Sequence, residues 1–256
     1  MKRRQFLATP AVLPLAVAAA DAPPRAIYQL VFTYMRQGSQ TQRTSEFLGS
    51  AFLPAWQRAG AGPAGFFSAV IAPRSPFVLS LMTYSSWAAM ETVQAKLAAD
   101  KDLQKAADDY NNIADPPYVR QESSLLRAFD STPVPEVPST EGRKGARIFE
   151  LRTYESLNEK ASLRKVKMFD EGEAAIFKRL GMGPVFFGKS IVGANQPNLS
   201  YMLSFDDLAS RDKLWGAFGG DPEWRRLRAT PGYSDAELVS NITNMILRPL
   251  PFSPIR

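Results

Sequence analysis

A constant offset of 121 residues lays one half of this chain on the other without a gap. Arg58-Ala-Gly-Ala-Gly-Pro63 falls on Arg179-Leu-Gly-Met-Gly-Pro184, and Ile27, Leu30, Phe66 and Pro76 fall on Ile148, Leu151, Phe187 and Pro197. Asp100 meets Asp221, and Leu126-Arg127 meets Leu247-Arg248. Glycine and proline in register mean that the two copies share their turns as well as their apolar positions. The copies span residues 27–129 and 147–250. Residues 130–146 between them are rich in Pro and Gly and lack apolar periodicity, which reads as a linker.

Each copy resolves into the same string of elements. Residues 27–34 and 148–154 are short, apolar and aromatic, as strands are. Helical spacing follows over Thr44–Ala59 and Ser162–Leu180, where Val166, Phe169, Ile176, Phe177 and Leu180 share a stripe. Gly60 and Gly181 stand at the helix ends. Two further strands are predicted at 65–71 and 77–84, and at 185–192 and 199–205. Ser85-Ser86 and Asp206-Asp207 suit N-caps for a second helical region. A last strand covers 120–127 and 241–248. The order is β-α-β-β-α-β, the ferredoxin-like unit. Such a unit covers one face of its sheet with helices and leaves the other bare. The expected fold is α+β: two tandem ferredoxin-like repeats packed sheet to sheet as an intrachain α/β barrel.

The chain contains no cysteine and no histidine. This removes disulfides, thiol nucleophiles, imidazole bases, and cysteinyl or histidyl metal and haem sites. No metal constellation of carboxylates stands out, and no cofactor is expected. Residues 1–20 read as an export leader: Lys2-Arg3-Arg4-Gln5-Phe6-Leu7, then an apolar run ending in Ala18-Ala19-Ala20. The pattern resembles a bacterial twin-arginine signal, which implies a periplasmic or secreted protein. Pro10 and Pro14 break the run, so it does not suit a stable span, and the mature form is expected to have none. Without the leader 28 basic and 25 acidic residues remain, a balance that does not point to nucleic acid. Lys160–Lys167 is the densest basic stretch, and it reads as a solvated helix face.

Alternation along the first strand of the second copy sets Phe149, Leu151 and Thr153 against Glu150, Arg152 and Tyr154. With the apolar set on the helices, the polar set points into the barrel. The same positions of the first copy are Gln29, Val31 and Thr33. Charges on a central strand need partners or water. Glu150 and Arg152 therefore form either a structural ion pair or a polar pocket. In the pocket reading Arg152 fixes an anionic or carbonyl group, Glu150 orients it or acts as a base, and Tyr154 donates a hydrogen bond. Asn244, on the last strand, is a further candidate. The four tryptophans fall at helical positions and read as core. Gly181-Met-Gly183 lacks the preceding strand and third glycine of a dinucleotide fingerprint.

Arg147-Ile-Phe-Glu-Leu-Arg-Thr-Tyr154, Gly183-Pro184, the strand ending Phe-Asp-Asp-Leu-Ala, Asp221-Pro-Glu-Trp224 and Ile246-Leu-Arg-Pro249 together resemble the NIPSNAP family. The resemblance covers nearly all of 148–250 and reaches the first half through the repeat. It implies the dimeric α+β barrel fold and leaves the activity undefined. Three readings follow. The chain is a binding module for a small organic ligand in the barrel interior, a cofactor-independent monooxygenase- or isomerase-like enzyme, or a structural protein with a filled barrel. The tandem repeat completes the barrel within one chain and leaves further self-association open.

Overall fold

A computed structural model describes residues 24–142 and 145–256. The leader assigned to residues 1–20 lies outside them. The first copy folds into β1 (Ile27–Tyr34), β2 (Ala64–Ile71), β3 (Phe77–Tyr84) and β4 (Arg120–Ala128). The second supplies β5 (Ile148–Ser156), β6 (Gly183–Val192), β7 (Asn198–Phe205) and β8 (Val239–Pro249). These close into one barrel in the order β1-β3-β2-β8-β5-β7-β6-β4, with antiparallel neighbours. Each copy contributes a four-stranded sheet. The seams between copies are β2–β8 and β4–β6, which correspond to each other under the 121-residue offset.

The helices lie outside the barrel. Each first helical region begins earlier than its apolar stripe, because the buried positions of its first turn are polar or small, Gln40 in the first copy and Ala161 and Ser162 in the second. Each is also interrupted by a π-helical turn. In the first copy α1 (Ser39–Phe47) and α2 (Leu53–Arg58) flank Leu48–Phe52. In the second, α5 (Glu159–Met168) and α6 (Ala174–Arg179) flank Phe169–Glu173, at the same offset. Before them come α3 (Trp87–Ala99) and α4 (Lys101–Asn111). After them come α7 (Leu208–Gly220), α8 (Pro222–Arg228) and the short α9 (Asp235–Leu238). The predicted caps form: the Ser86 hydroxyl accepts from Ala89 N, and the Asp207 carboxylate from Ser210 N.

The R-x-G-x-G-P block does the same work in each copy. Gly60 and Gly181 close α2 and α6 at φ +73° and +80°, a conformation that costs a side chain energy. Two residues on, Gly62 and Gly183 lie flush against β3 and β7. A Cβ on Gly62 would stand 2.7 Å from the Thr83 carbonyl oxygen.

Three apolar cores result. One fills the barrel and draws on both copies, with Tyr28, Leu30, Phe149, Leu151, Met202 and Leu247 among its residues. The others lie between each sheet and its own helices, around Trp56 and Phe66 in the first copy and Phe169 and Phe177 in the second. The expected strand parity is therefore inverted. Phe149, Leu151 and Thr153 face the barrel, while Glu150, Arg152 and Tyr154 face the helices. The reason is the source of hydrogen-bonding partners. The barrel core joins two sheet faces in a dry layer that suits the apolar set, whereas the helix layer brings polar side chains down onto Glu150.

Candidate functional site

The four sequence-derived candidates, Glu150, Arg152, Tyr154 and Asn244, meet in one place, but on the helix side of the sheet. Glu150 is fully buried and is the hub. Its carboxylate accepts from Arg152 Nη1 at 2.9 Å, from Arg211 Nε and Nη2 at 2.9 and 2.7 Å, and from Trp215 Nε1 at 2.7 Å. Arg152 lies over the Trp215 ring at 4.5 Å and donates through Nη2 to the Tyr154 hydroxyl at 3.2 Å. That hydroxyl shares a 2.9 Å hydrogen bond with Tyr201. Asn244 pairs with Arg152 across β5–β8 and, with its amide oxygen turned inward, accepts from Nη1 at 3.0 Å.

Electrostatically the cluster is settled. Burial works against the Arg152 guanidinium, but the Tyr201 and Tyr154 phenols and the Glu150 carboxylate outweigh it and raise its pKa. Burial pushes the Tyr201 phenol well above its ordinary range. Beside this network Lys165 and Glu173 form a second buried ion pair at 3.1 Å, with both side chains almost wholly enclosed. Lys165 is thus no part of a solvated helix face. The π-helical turn shifts the stripe so that residues eight apart come together. The first copy places Gln29, Val31, Thr33, Thr44 and Phe52 where the second has Glu150, Arg152, Tyr154, Lys165 and Glu173. There a neutral chain, Gln94 to Tyr84 to Gln29, replaces the charges. Arg152 and Arg211 share Glu150, and Arg211 also holds Asp212 at 2.8 Å, so each charge of the network has an opposite charge in contact.

Open space lies on the other face of the same strands. A cavity of about 310 Å³ occupies the end of the barrel where β1 and β5 finish. Arg152 does not line it. Its floor is Leu30, Leu151 and Met245. The first copy contributes Phe32 and Tyr34, whose rings lie 6.1 Å apart and nearly parallel, with Phe77 edge-on behind them. The second contributes Thr153, Ser200, Thr243, Ser190 and Asn198. Thr153 Oγ1 and Ser200 Oγ share a 2.7 Å hydrogen bond. The hydroxyls of Ser124, Ser190 and Thr243 have no hydrogen-bond partner among the described residues.

Charge is confined to the rim, where Arg74 and Arg120 pair with Glu122. Glu122 accepts from Arg74 at 3.2 Å, from Arg120 at 2.9 Å and from the Tyr34 hydroxyl at 3.3 Å. Arg120 also covers the outer face of Tyr34 at 4.4 Å. Burial and then Glu122 raise the Tyr34 phenol pKa, so the group stays a neutral donor at pH 7. Across the mouth Glu155 accepts from Asn241 at 2.8 Å and Asn195 at 3.4 Å. A half-enclosed hollow with an apolar floor and a few convergent polar groups is the usual form of a small-molecule site. Among the described residues no group of three acidic side chains is placed to hold a metal ion. No helix among them is long and apolar enough to cross a membrane.

Residues 149–254 match the NIPSNAP family. Among solved structures the chain is similar to a protein of Fusobacterium nucleatum provisionally named a monooxygenase. The two are 8% identical with a TM-score of 0.58, over 88% of this chain and 93% of that one. A protein of Lactobacillus acidophilus with the same provisional name gives 11% identity and a TM-score of 0.54, over 87% and 93%. A NIPSNAP family protein of Agrobacterium tumefaciens, of unknown function, is 25% identical with a TM-score of 0.37, over 44% of this chain and 97% of that one. No curated protein matches. At these identities the long alignments establish the barrel fold and leave activity open.

Proposed function

We propose that this chain, whose residues 149–254 match the NIPSNAP family and close into one barrel with a diverged copy, binds a small organic molecule in the barrel mouth. The cavity of about 310 Å³, built from both copies, is the observation that carries this reading. It also argues against a barrel that serves only as filled scaffold. The sequence left Glu150 and Arg152 open between a structural ion pair and a ligand pocket. The geometry supports the opposite face of the same strand, where Leu151 and Thr153 point. An enzymatic reading draws on fold-level likeness alone. Within the mouth the acidic groups are Glu122 and Glu155, and each already accepts hydrogen bonds at the rim.

The test is a thermal-shift screen of small aromatic and aliphatic fragments against the wild type and Thr243→Trp, whose indole would fill the cavity. A fragment present at a hundred times its Kd adds about 2.7 kcal/mol of stability. The expected result is upward shifts in the wild type that vanish in Thr243→Trp. Equal shifts in both proteins, or none in either, would refute the proposal. Export through residues 1–20 is a further part of this reading. N-terminal sequencing of the protein from a periplasmic extract should find a start near residue 21, and a start at Met1 would refute it.

A further inference from the structure

The two copies supply the mouth with unlike walls. Under the 121-residue offset Phe32 stands where Thr153 stands, Tyr34 where Glu155 stands, Phe77 where Asn198 stands, and Leu79 where Ser200 stands. On the first copy's side Phe32 and Tyr34 line the cavity, with Phe77 packed against them and the Ser123 and Ser124 hydroxyls beside them, and the facing side carries the hydroxyls of Thr153, Ser200 and Thr243 and the amides of Asn195 and Asn198. The floor is apolar from both copies, through Leu30 and Leu151. Resting on the mouth being a ligand site, we infer that its occupant is a neutral one- or two-ring aromatic molecule with hydroxyl or carbonyl groups along one edge.

Each part of that description has a cause. A ring can lie against Phe32 and Tyr34 in the offset or edge geometry that aromatic pairs favour. Its polar edge then meets Thr153, Ser200 and Thr243, which can donate or accept. A sugar would fit badly. Its hydroxyls radiate from the whole ring, and those pressed on Leu30, Leu151 and Met245 would lose water without gaining a partner. An anion would also fit badly, since Arg74 and Arg120 share Glu122 and Glu155 faces them across the rim. At about 310 Å³ the hollow lies at the small end of ligand pockets, which run from roughly 300 to 1,000 Å³.

Ligand-observed NMR with 2-naphthol, naphthalene, 2-naphthoate and glucose at pH 7 tests this. 2-Naphthol should bind about tenfold more tightly than naphthalene, the increment expected of one good hydrogen bond. 2-Naphthoate should bind at least tenfold more weakly than 2-naphthol, and glucose not at all. Combining Ser200→Ala with Thr243→Val should erase the preference for naphthol over naphthalene, while Phe32→Ala weakens both by a similar factor. If Thr243→Trp abolishes binding but 2-naphthoate or glucose is the best probe, the ligand class is wrong and the mouth remains the site. If 2-naphthol binds Thr243→Trp as it binds wild type, the mouth itself is excluded. Failure of all four probes to bind overturns the ligand class.

Discussion

Glu150→Gln isolates the buried network from the cavity behind it. The substitution keeps volume and shape but removes the charge on which two arginines and an indole converge. The new amide would also turn a donor toward donors. Breaking a buried ion pair by removing one partner costs about 3–5 kcal/mol, because the other charge is left uncompensated. Arg152 has 13% of its side chain exposed and Arg211 21%, so Arg211 is the freer to turn into water. That relief places the expected loss near the lower bound, about 3 kcal/mol. In the folding equilibrium this is more than a hundredfold, and for a chain of this size about 6–12 °C in Tm. Calorimetry and urea unfolding should both register it. Adding Arg152→Met should recover part of the loss, since the stranded charge goes too. Affinity for a mouth ligand should stay unchanged, because Glu150 lies on the opposite face of the sheet. A Glu150→Gln protein within about 0.5 kcal/mol of wild type, the ordinary spread of surface substitutions, would refute the hub assignment.

Lys165→Ala should destabilise by about 3–5 kcal/mol in urea unfolding, whereas Lys165→Met with Glu173→Met should be near neutral, because no charge is then left unpaired. Gly62→Ala should cost about 1–3 kcal/mol by thermal unfolding, as its Cβ would press on the Thr83 carbonyl and force β3 to shift. At alkaline pH stability should fall. The phenols of Tyr154 and Tyr201 are raised chiefly by burial, so the unfolded chain releases their protons from about pH 10 while the folded chain retains them. Fluorescence-monitored melting from pH 8 to 11 should show Tm declining above about pH 10, and less steeply in Tyr154→Phe.

The topology was legible because turns and apolar positions recur at one offset, and turn chemistry survives drift in the residues between. The candidate residues were legible too: alternation along β5 puts Glu150, Arg152 and Tyr154 on one face, and strand pairing adds Asn244. Which face points inward was not. Both faces of a central strand are covered, so alternation defines the two sets without orienting them. The deciding information sits in Arg211 and Trp215, 61 and 65 residues downstream of Glu150. Lys165 sits at ordinary α-helical spacing from Ser162 and Phe169, but a lysine reads as solvated because it is seldom buried unpaired, and its partner Glu173 is brought to it only by the π-helical turn. The cavity walls were present in the alignment of Phe32 with Thr153. Once parity was assigned the wrong way, both residues were turned toward the helices.

Closure of the barrel at two seams has a consequence for the order of events during synthesis. When the first copy has left the ribosome, β2 and β4 still lack the neighbours they pair with in β8 and β6. The apolar face that later becomes barrel core is also bare. The strand that covers β2 ends about 121 residues further on. At roughly 5–20 residues per second that is an interval of roughly 6–24 s. The edge of β4 is open for roughly the first half of it, until β6 is made, and the edge of β2 and the apolar sheet are open for all of it, the features that recruit other chains.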